Sequence, residues 1–189
     1  MTDDQHPWAS ALPELHTQVW ARLIRGVHDR HAVARNMMLA TVGLDGAPQA
    51  RTVVLRAADR QAAVLEIHTD LRSHKVAELR SNSRAALHVW DASVNLQMRL
   101  TADVAILTGQ DVTAIWAKVP DPSRHSYGST PAPGQPIAQA LGYAKDADAA
   151  CFAVLRFRIQ SIDALNLERD HRRARFDRAD GWRGGWLAT

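Results

Sequence analysis

Residues 36–57, NMMLATVGLDGAPQARTVVLRA, contain two apolar segments on either side of a short polar turn. Both segments, NMMLATVG and PQARTVVLRA, are rich in apolar and β-branched residues, which favours strands. Between them stands Asp45-Gly46, a dipeptide typical of tight hairpin turns. The stretch therefore predicts an antiparallel hairpin, which needs further strands to bury its apolar face.

Further strand-like segments follow this hairpin along the chain. They are AAVLEIHT (62–69), RAALHVWD (84–91), LQMRLTADVAIL (96–107) and CFAVLRFRIQSIDAL (151–165). The end of the chain, HRRARFDRADGWRGGWLA (171–188), predicts a closing hairpin over Asp180-Gly181. Successive hairpins without strict strand–helix alternation favour a barrel or sandwich over a doubly wound parallel sheet.

Three segments predict helices. Between Ala11 and Arg30, apolar residues recur every fourth position, which indicates an amphipathic helix. SHKVAELRSN (73–82) predicts a second helix with Ser73 at its N-cap, and GQDVTAIWAKV (109–119) a third. We therefore expect one domain over residues 1–189 that is mainly β with α insertions. In it, residues 1–35 form a helical extension to an antiparallel barrel, and the proline-rich segment 120–136 forms a surface loop.

Composition narrows the classes of protein. With 46% apolar residues the 189-residue chain can build a core, and its net charge of +3 is too small to indicate nucleic-acid binding. The single cysteine, Cys151, fits a reducing compartment. The acidic start MTDDQ is unlike a secretory signal, and no run approaches the about 18 apolar residues of a membrane span. We expect a cytoplasmic protein without a membrane partner.

Candidate phosphate-binding groups follow the third strand, in HTDLRSHK (68–75). Thr69 and Ser73 offer hydroxyls, and Ser73, His74 and Lys75 begin a predicted helix, where free N–H groups and the helix dipole favour an anion. Arg51 or Arg56, at the two ends of RTVVLR, could add a guanidinium. The competing interpretation of these residue types is a surface turn followed by a solvated helix face. Neither paired cysteines nor a His-Glu-x-x-His pattern indicates a metal site.

RTVVLR, HTDLRSHKVAEL, NSRAALHVW and LQMRLTADV follow one another in the order and spacing of the pyridoxamine 5'-phosphate oxidase family, and HRRARF with the terminal WLAT resembles that family's closing segment. The resemblance covers about residue 36 to the end. It implies an antiparallel FMN-binding split β-barrel that forms a homodimer with FMN at the interface. The positions that match the family's flavin-contacting residues are Arg51, Thr52, Val53, Val54, Arg56, His68, Thr69, Ser73, His74, Lys75, Gln97 and Arg175. In the family, the glutamine that matches Gln97 comes from the partner subunit.

The family's residues that hold the vitamin B6 substrate are matched less well in this sequence than its flavin-contacting residues. In HRRARF no histidine stands between Arg172 and Arg175, the two arginines that would align with the family's Arg-Leu-His-Asp-Arg. Trp116, Arg124 and Ser126 are only loose matches to the residues that hold the substrate phosphate, and Arg172 is a fourth weak candidate. The pattern therefore resembles a divergent FMN-binding branch rather than the vitamin B6 enzyme proper.

Several functions remain open at the level of the sequence. The resemblance implies an FMN-dependent oxidoreductase acting on a small molecule whose identity the sequence does not give. The alternatives are a flavin-binding or sensing module without turnover, and a split barrel that uses a deazaflavin or haem.

Overall fold

The computed structural model describes residues 6–189, so the first five residues of the predicted extension lie outside the described part. The described part of the chain contains four α-helices: α1 (Leu12–His28), α2 (His74–Ser81), α3 (Thr113–Trp116) and α4 (Asp121–Arg124). Residues 6–189 also form ten strands: β1 (Asn36–Val42), β2 (Pro48–Asp59), β3 (Val64–Asp70), β4 (Arg84–Asp91), β5 (Leu96–Leu107), β6 (Ser129–Thr130), β7 (Ala144–Lys145), β8 (Phe152–Asn166), β9 (Arg172–Asp177) and β10 (Gly185–Leu187).

Six strands close into an antiparallel barrel in the order β3-β2-β1-β4-β5-β8. The barrel closes because the long strand β8 pairs with both β5 and β3. Beyond the part that pairs with β3, β8 pairs with β9, and β9 pairs with β10. The predicted fold class, mainly β with a barrel and an N-terminal helix, is therefore confirmed, and so are the hairpins at both ends of the barrel sequence.

Helix α1 packs on the barrel through the face that its four-residue spacing predicts. Leu15, Val19 and Leu23 are fully buried and belong to the same apolar core as the barrel interior. Trp20 is buried beside them, and its indole Nε1 donates a hydrogen bond of 3.1 Å to Nε2 of His16. Burying a leucine or valine contributes about 1.5–3 kcal/mol each, so this face holds the helix in place.

The barrel is split between β2 and β3, and this opening positions the site. The two strands pair only from Leu55–Ile67 to Asp59–Val64, with a bulge after Leu55. Before Leu55, β2 pairs with β1 alone. Among residues 52–54, the N–H and C=O groups that point towards β3 therefore have no ladder partner in the described part of the chain, since successive residues of a strand offer these groups to opposite sides.

The predicted helix 109–119 is the segment that the structure changes most. A 3-10 turn (Gly109–Val112) leads into the single helical turn α3, which ends before Pro120. Gly109 has a positive φ, and Val112 and Thr113 are β-branched, so the segment has low helix propensity. The proline-rich segment 120–136 contains α4 and β6. Within residues 6–189, no helix is both long and apolar enough to cross a bilayer.

Candidate functional site

A cavity of about 340 Å³ fills the opening between β2 and β3. Its size lies within the range of small-molecule sites. Both strands, the start of α2 and the segment after α4 contribute to its walls. The lining residues are Thr52, Val53, Val54, Arg56, Ile67, His68, Thr69, Asp70, Ser73, Lys75, Ser126, Tyr127 and Pro133.

At one end of the cavity, two hydroxyls and an ammonium group surround the first turn of α2. Thr69 Oγ1 lies 3.2 Å from Ser73 Oγ and accepts a hydrogen bond of 3.2 Å from Lys75 Nζ. Ser73 occupies the N-cap position as predicted, but its hydroxyl makes no capping hydrogen bond to the helix. The first N–H groups of a helix have no intrahelical partner, so this end combines free backbone donors with a cation.

The cation at this end, the Lys75 ammonium, lies in surroundings that disfavour its charged form. Burial, and then the nearby positive charge of Arg51, lower the pKa of the Lys75 ammonium. Arg51 does not line the cavity; its guanidinium donates to Thr41 and, at 2.7 Å, to the carboxylate of Glu78. Thr41 in turn donates to Glu78 at 2.5 Å. An anion in the cavity would offset the unfavourable charge of Lys75, because opposite charges favour each other's ionised forms.

At the other end, Arg56, Tyr127 and His68 face the cavity. Burial raises the pKa of the Tyr127 phenol, while the adjacent Arg56 lowers it by its charge and by donating to the phenol oxygen. Burial and the charge of Arg56 lower the pKa of His68 to about 4. At neutral pH the tyrosine is therefore protonated and the imidazole is uncharged. Arginine has only donors, so the phenol O–H remains available to donate to a ligand.

Asp70 ties the walls of the cavity together. Its carboxylate accepts hydrogen bonds from the Arg72 guanidinium at 2.7 and 3.0 Å, and from the Gly128 N–H at 3.0 Å. Although burial raises the pKa of Asp70, these hydrogen bonds hold it below its usual range. The carboxylate therefore fixes the segment around Tyr127 to the end of β3, and its own charge is already compensated.

The structure gathers most of the predicted site residues around this cavity: Thr52, Val53, Val54, Arg56, His68, Thr69, Ser73, Lys75 and Ser126. His74 lies under the proline-rich segment, since a Cβ on Gly134 would be 2.6 Å from its Nε2. Their roles in cofactor or substrate binding stay predictions. The sequence did not single out Asp70, Tyr127 or Glu78.

The other predicted residues do not line the cavity of this chain. Gln97 is on β5, and Arg175 is on β9, where it pairs with Asp177 at 2.9 Å. Arg172 begins β9, opposite Asn166. Trp116 packs on the Phe152 and Tyr127 rings, with centroids 5.1 and 6.2 Å away, and Arg124 lies over its ring and pairs with Asp121 at 2.9 Å. Within residues 6–189, no group of three or more histidine, cysteine or acidic side chains is arranged to hold a metal.

Solved structures of similar fold cover nearly the whole chain. A pyridoxamine 5'-phosphate oxidase-related, FMN-binding protein from Nostoc punctiforme superposes with a TM-score of 0.74, covering 96% of this chain and 98% of that one at 24% identity. PhzG from Burkholderia lata, solved with tetrahydrophenazine-1-carboxylic acid, gives a TM-score of 0.67 at 18% identity, covering 100% of this chain and 95% of that one. At these identities the likeness shows the fold.

Sequence comparison shows the family. A pyridoxine/pyridoxamine 5'-phosphate oxidase of Xanthomonas axonopodis pv. citri is 32% identical over 154 residues, which are 80% of this chain and 67% of that protein. The oxidase of Thermosynechococcus vestitus is 39% identical, but the match spans 47% of this chain and only 41% of that protein. Residues 6–108 match the model of the family described as "Pyridoxamine 5'-phosphate oxidase, FMN-binding domain". The chain therefore belongs to the pyridoxamine 5'-phosphate oxidase FMN-binding domain family.

Proposed function

We propose that this protein binds FMN in the cavity between β2 and β3 and acts as an oxidoreductase on a small molecule. One observation carries the proposal. The cavity joins an unpaired strand edge to a helix start that bears Thr69, Ser73 and Lys75. A flavin nucleotide needs this combination, because its ring edge alternates hydrogen-bond donors and acceptors while its phosphate is a dianion.

The residues fit both parts of FMN. The backbone of Thr52, Val53 and Val54 can exchange hydrogen bonds with a ring edge, as an added strand would. Ser73, Lys75 and the α2 N–H groups can hold a phosphate. Family membership supports the same assignment. Bound FMN would supply electron and hydride transfer.

The chain's own groups would orient and polarise what binds. Tyr127 can donate its O–H to an acceptor on the ring or on a substrate, and Arg56 adds a positive charge at the same end. Neutral His68 presents an uncharged ring, edge-on to Phe152 with centroids 5.0 Å apart. Val53, Val54 and Ile67 add apolar surface to the same cavity, and together with uncharged His68 they suit a flat ring.

We also propose that a second copy of the chain completes the site. The outer faces of β1, β2, β4 and β5 form one surface, on which Thr52 lies opposite Met38, and Met38 opposite His88. Met38 and Trp90 on this face are 47% and 40% exposed, which is high for large apolar side chains. Gln97 lies opposite Trp90 on the same surface, so a two-fold partner could bring its own Gln97 to the cavity rim at Thr52.

Two measurements test the proposal. The purified protein should show the visible absorption bands of oxidised flavin, or gain them when the apo-protein is mixed with FMN. A haem or deazaflavin spectrum instead would reject the cofactor assignment. Reduction of the bound flavin by NAD(P)H, followed by reoxidation in air, would support an oxidoreductase, whereas a flavin that no pyridine nucleotide reduces would favour a binding module.

A further inference from the structure

A second cavity, of about 330 Å³, lies next to the first. Ser126 and Pro133 line both cavities and form the wall between them. Residues 131–135 and Ile137 line the second cavity together with Tyr143 and Lys145. A molecule that extends past this wall would therefore lie beside whatever occupies the first cavity.

The second cavity is held in a fixed position relative to the first. The β6–β7 ladder sets Ser129 opposite Lys145, and the Ser129 carbonyl accepts a hydrogen bond of 2.9 Å from Arg72. Arg72 is bound to Asp70, which lines the first cavity. His125 Nδ1 lies 3.2 Å from the carbonyl oxygen of Lys145. A carbonyl only accepts, so this contact places a proton on Nδ1 and fixes the imidazole against β7.

The walls of this cavity combine apolar and polar side chains, and one of the polar groups is a cation. Pro131, Pro133 and Ile137 supply apolar surface, and the Tyr143 ring adds an aromatic face. The Lys145 ammonium lies 5.6 Å from the centre of that ring. In the described part of the chain, no carboxylate lies within ion-pair distance of Lys145, although Asp146 is its neighbour in sequence. The cavity thus offers an exposed cation, without an ion-pair partner among the described residues, beside the apolar surfaces of proline and tyrosine side chains.

From this geometry we propose that the second cavity binds a planar organic acid, with its carboxylate at Lys145 and its ring between Pro133 and Tyr143. The first cavity, which we assign to a phosphate dianion, combines Lys75 with the start of a helix. The second cavity has a single lysine, and one lysine matches the single charge of a monocarboxylate better than the double charge of a phosphate. The inference that such an acid is the substrate of the oxidoreductase rests on the proposed function. The inference that the second cavity binds the acid does not.

The test uses 2-naphthoate as a planar acid and 2-naphthamide as its neutral match. Equilibrium dialysis with FMN-saturated protein should show that naphthoate binds at least about tenfold more tightly than naphthamide, as one charge-assisted contact provides. Lys145→Met should abolish this preference, and Tyr143→Leu should weaken both ligands. The chain has only three lysines, and the exposed Lys118 supplies the matched control: Lys118→Met should change neither ligand.

Three results would overturn the inference: no binding of naphthoate at millimolar concentration, equal affinity for both ligands, or a preference that survives Lys145→Met. Tighter binding of 2-naphthyl phosphate than of naphthoate would overturn the assignment to a carboxylic acid. The same dialysis is run on apo-protein, with FMN binding measured separately. A Lys145-dependent preference in a protein that does not bind FMN would support this inference while rejecting the proposed function.

Discussion

Replacing Lys75 with methionine separates the contribution of this lysine to binding from its contribution to folding. Methionine keeps most of the length of the side chain and removes the charge. Among the described residues, the ammonium donates one hydrogen bond, to the neutral hydroxyl of Thr69 at 3.2 Å, and burial and Arg51 lower its pKa. The lysine is therefore better placed to bind an anion than to stabilise the empty protein.

The magnitude follows from the lost contact. A hydrogen bond to a charged group contributes about 1.5–3 kcal/mol, so Lys75→Met should raise the Kd for FMN by about ten- to a hundredfold. The urea midpoint of the apo-protein should stay the same or rise, because the substitution removes a partly buried charge next to Arg51. Lys118→Met, at an exposed position, should change neither quantity.

The assay is fluorescence titration of apo-protein with FMN, together with urea unfolding of the same samples. An unchanged Kd would refute the assignment of Lys75 to the phosphate. A loss of apo-protein stability as large as the loss of binding would show that the lysine acts by supporting the fold.

Three further predictions concern assembly, pH and substrate. Light scattering of the FMN-bound protein should give twice the 20.9 kDa chain mass. Met38→Arg should give monomers that bind FMN more weakly, while Leu44→Arg, in the exposed β1–β2 turn, should leave both the dimer and FMN binding unchanged. A wild-type monomer that retains FMN would contradict this prediction. Burial and the charge of Arg60 lower the pKa of His16 from 6.5 to about 4, so between these values only the unfolded chain binds the proton. The unfolding free energy of the apo-protein should therefore fall as the pH drops from 6.5 towards 4, and this half-buried ring should account for about 1–2 kcal/mol of the fall. In urea unfolding, His16→Gln should make the unfolding free energy depend less on pH. An unchanged pH dependence in this variant would contradict the prediction. Assays of peroxide and pyridoxal phosphate should show that pyridoxine 5'-phosphate is turned over far more slowly than about 1 per second. The reason is that the closing segment lacks the family's histidine, and each lost contact to a charged group costs about 1.5–3 kcal/mol. Turnover near about 1 per second would contradict this prediction.

Local patterns in the sequence predicted the barrel strands, the closing hairpin, α1 and four of the residues that line the cavity, whereas five further lining residues came from the family resemblance. Residues 68–75 are contiguous, so the end of β3 and the start of α2 necessarily come together, whatever the rest of the fold does. The alternating burial of β1 and the four-residue spacing of α1 likewise follow from periodicity. Family resemblance then added the order of the motifs, which propensity alone does not supply.

The features that the sequence did not predict depend on contacts between distant residues. Asp70 meets Gly128 across 58 positions of the chain, and Thr41 meets Glu78 across 37. The opening between β2 and β3 depends on the pairing register of the two strands, which shifts at a bulge after Leu55. No residue pattern in the sequence predicts that bulge. The helix predicted over 109–119 was only partly right: the segment forms a 3-10 turn and one α-helical turn, because a positive-φ glycine and β-branched residues disfavour a continuous helix.

Comparison of FMN with riboflavin by calorimetric titration of the apo-protein is the most direct test of the central claim. The two ligands share the ring and differ in the phosphate, which we assign to Ser73, Lys75 and the start of α2. We expect FMN to bind at least about a hundredfold more tightly than riboflavin, as two or more charge-assisted contacts provide. Equal affinities, or the absence of binding by either ligand, would contradict it.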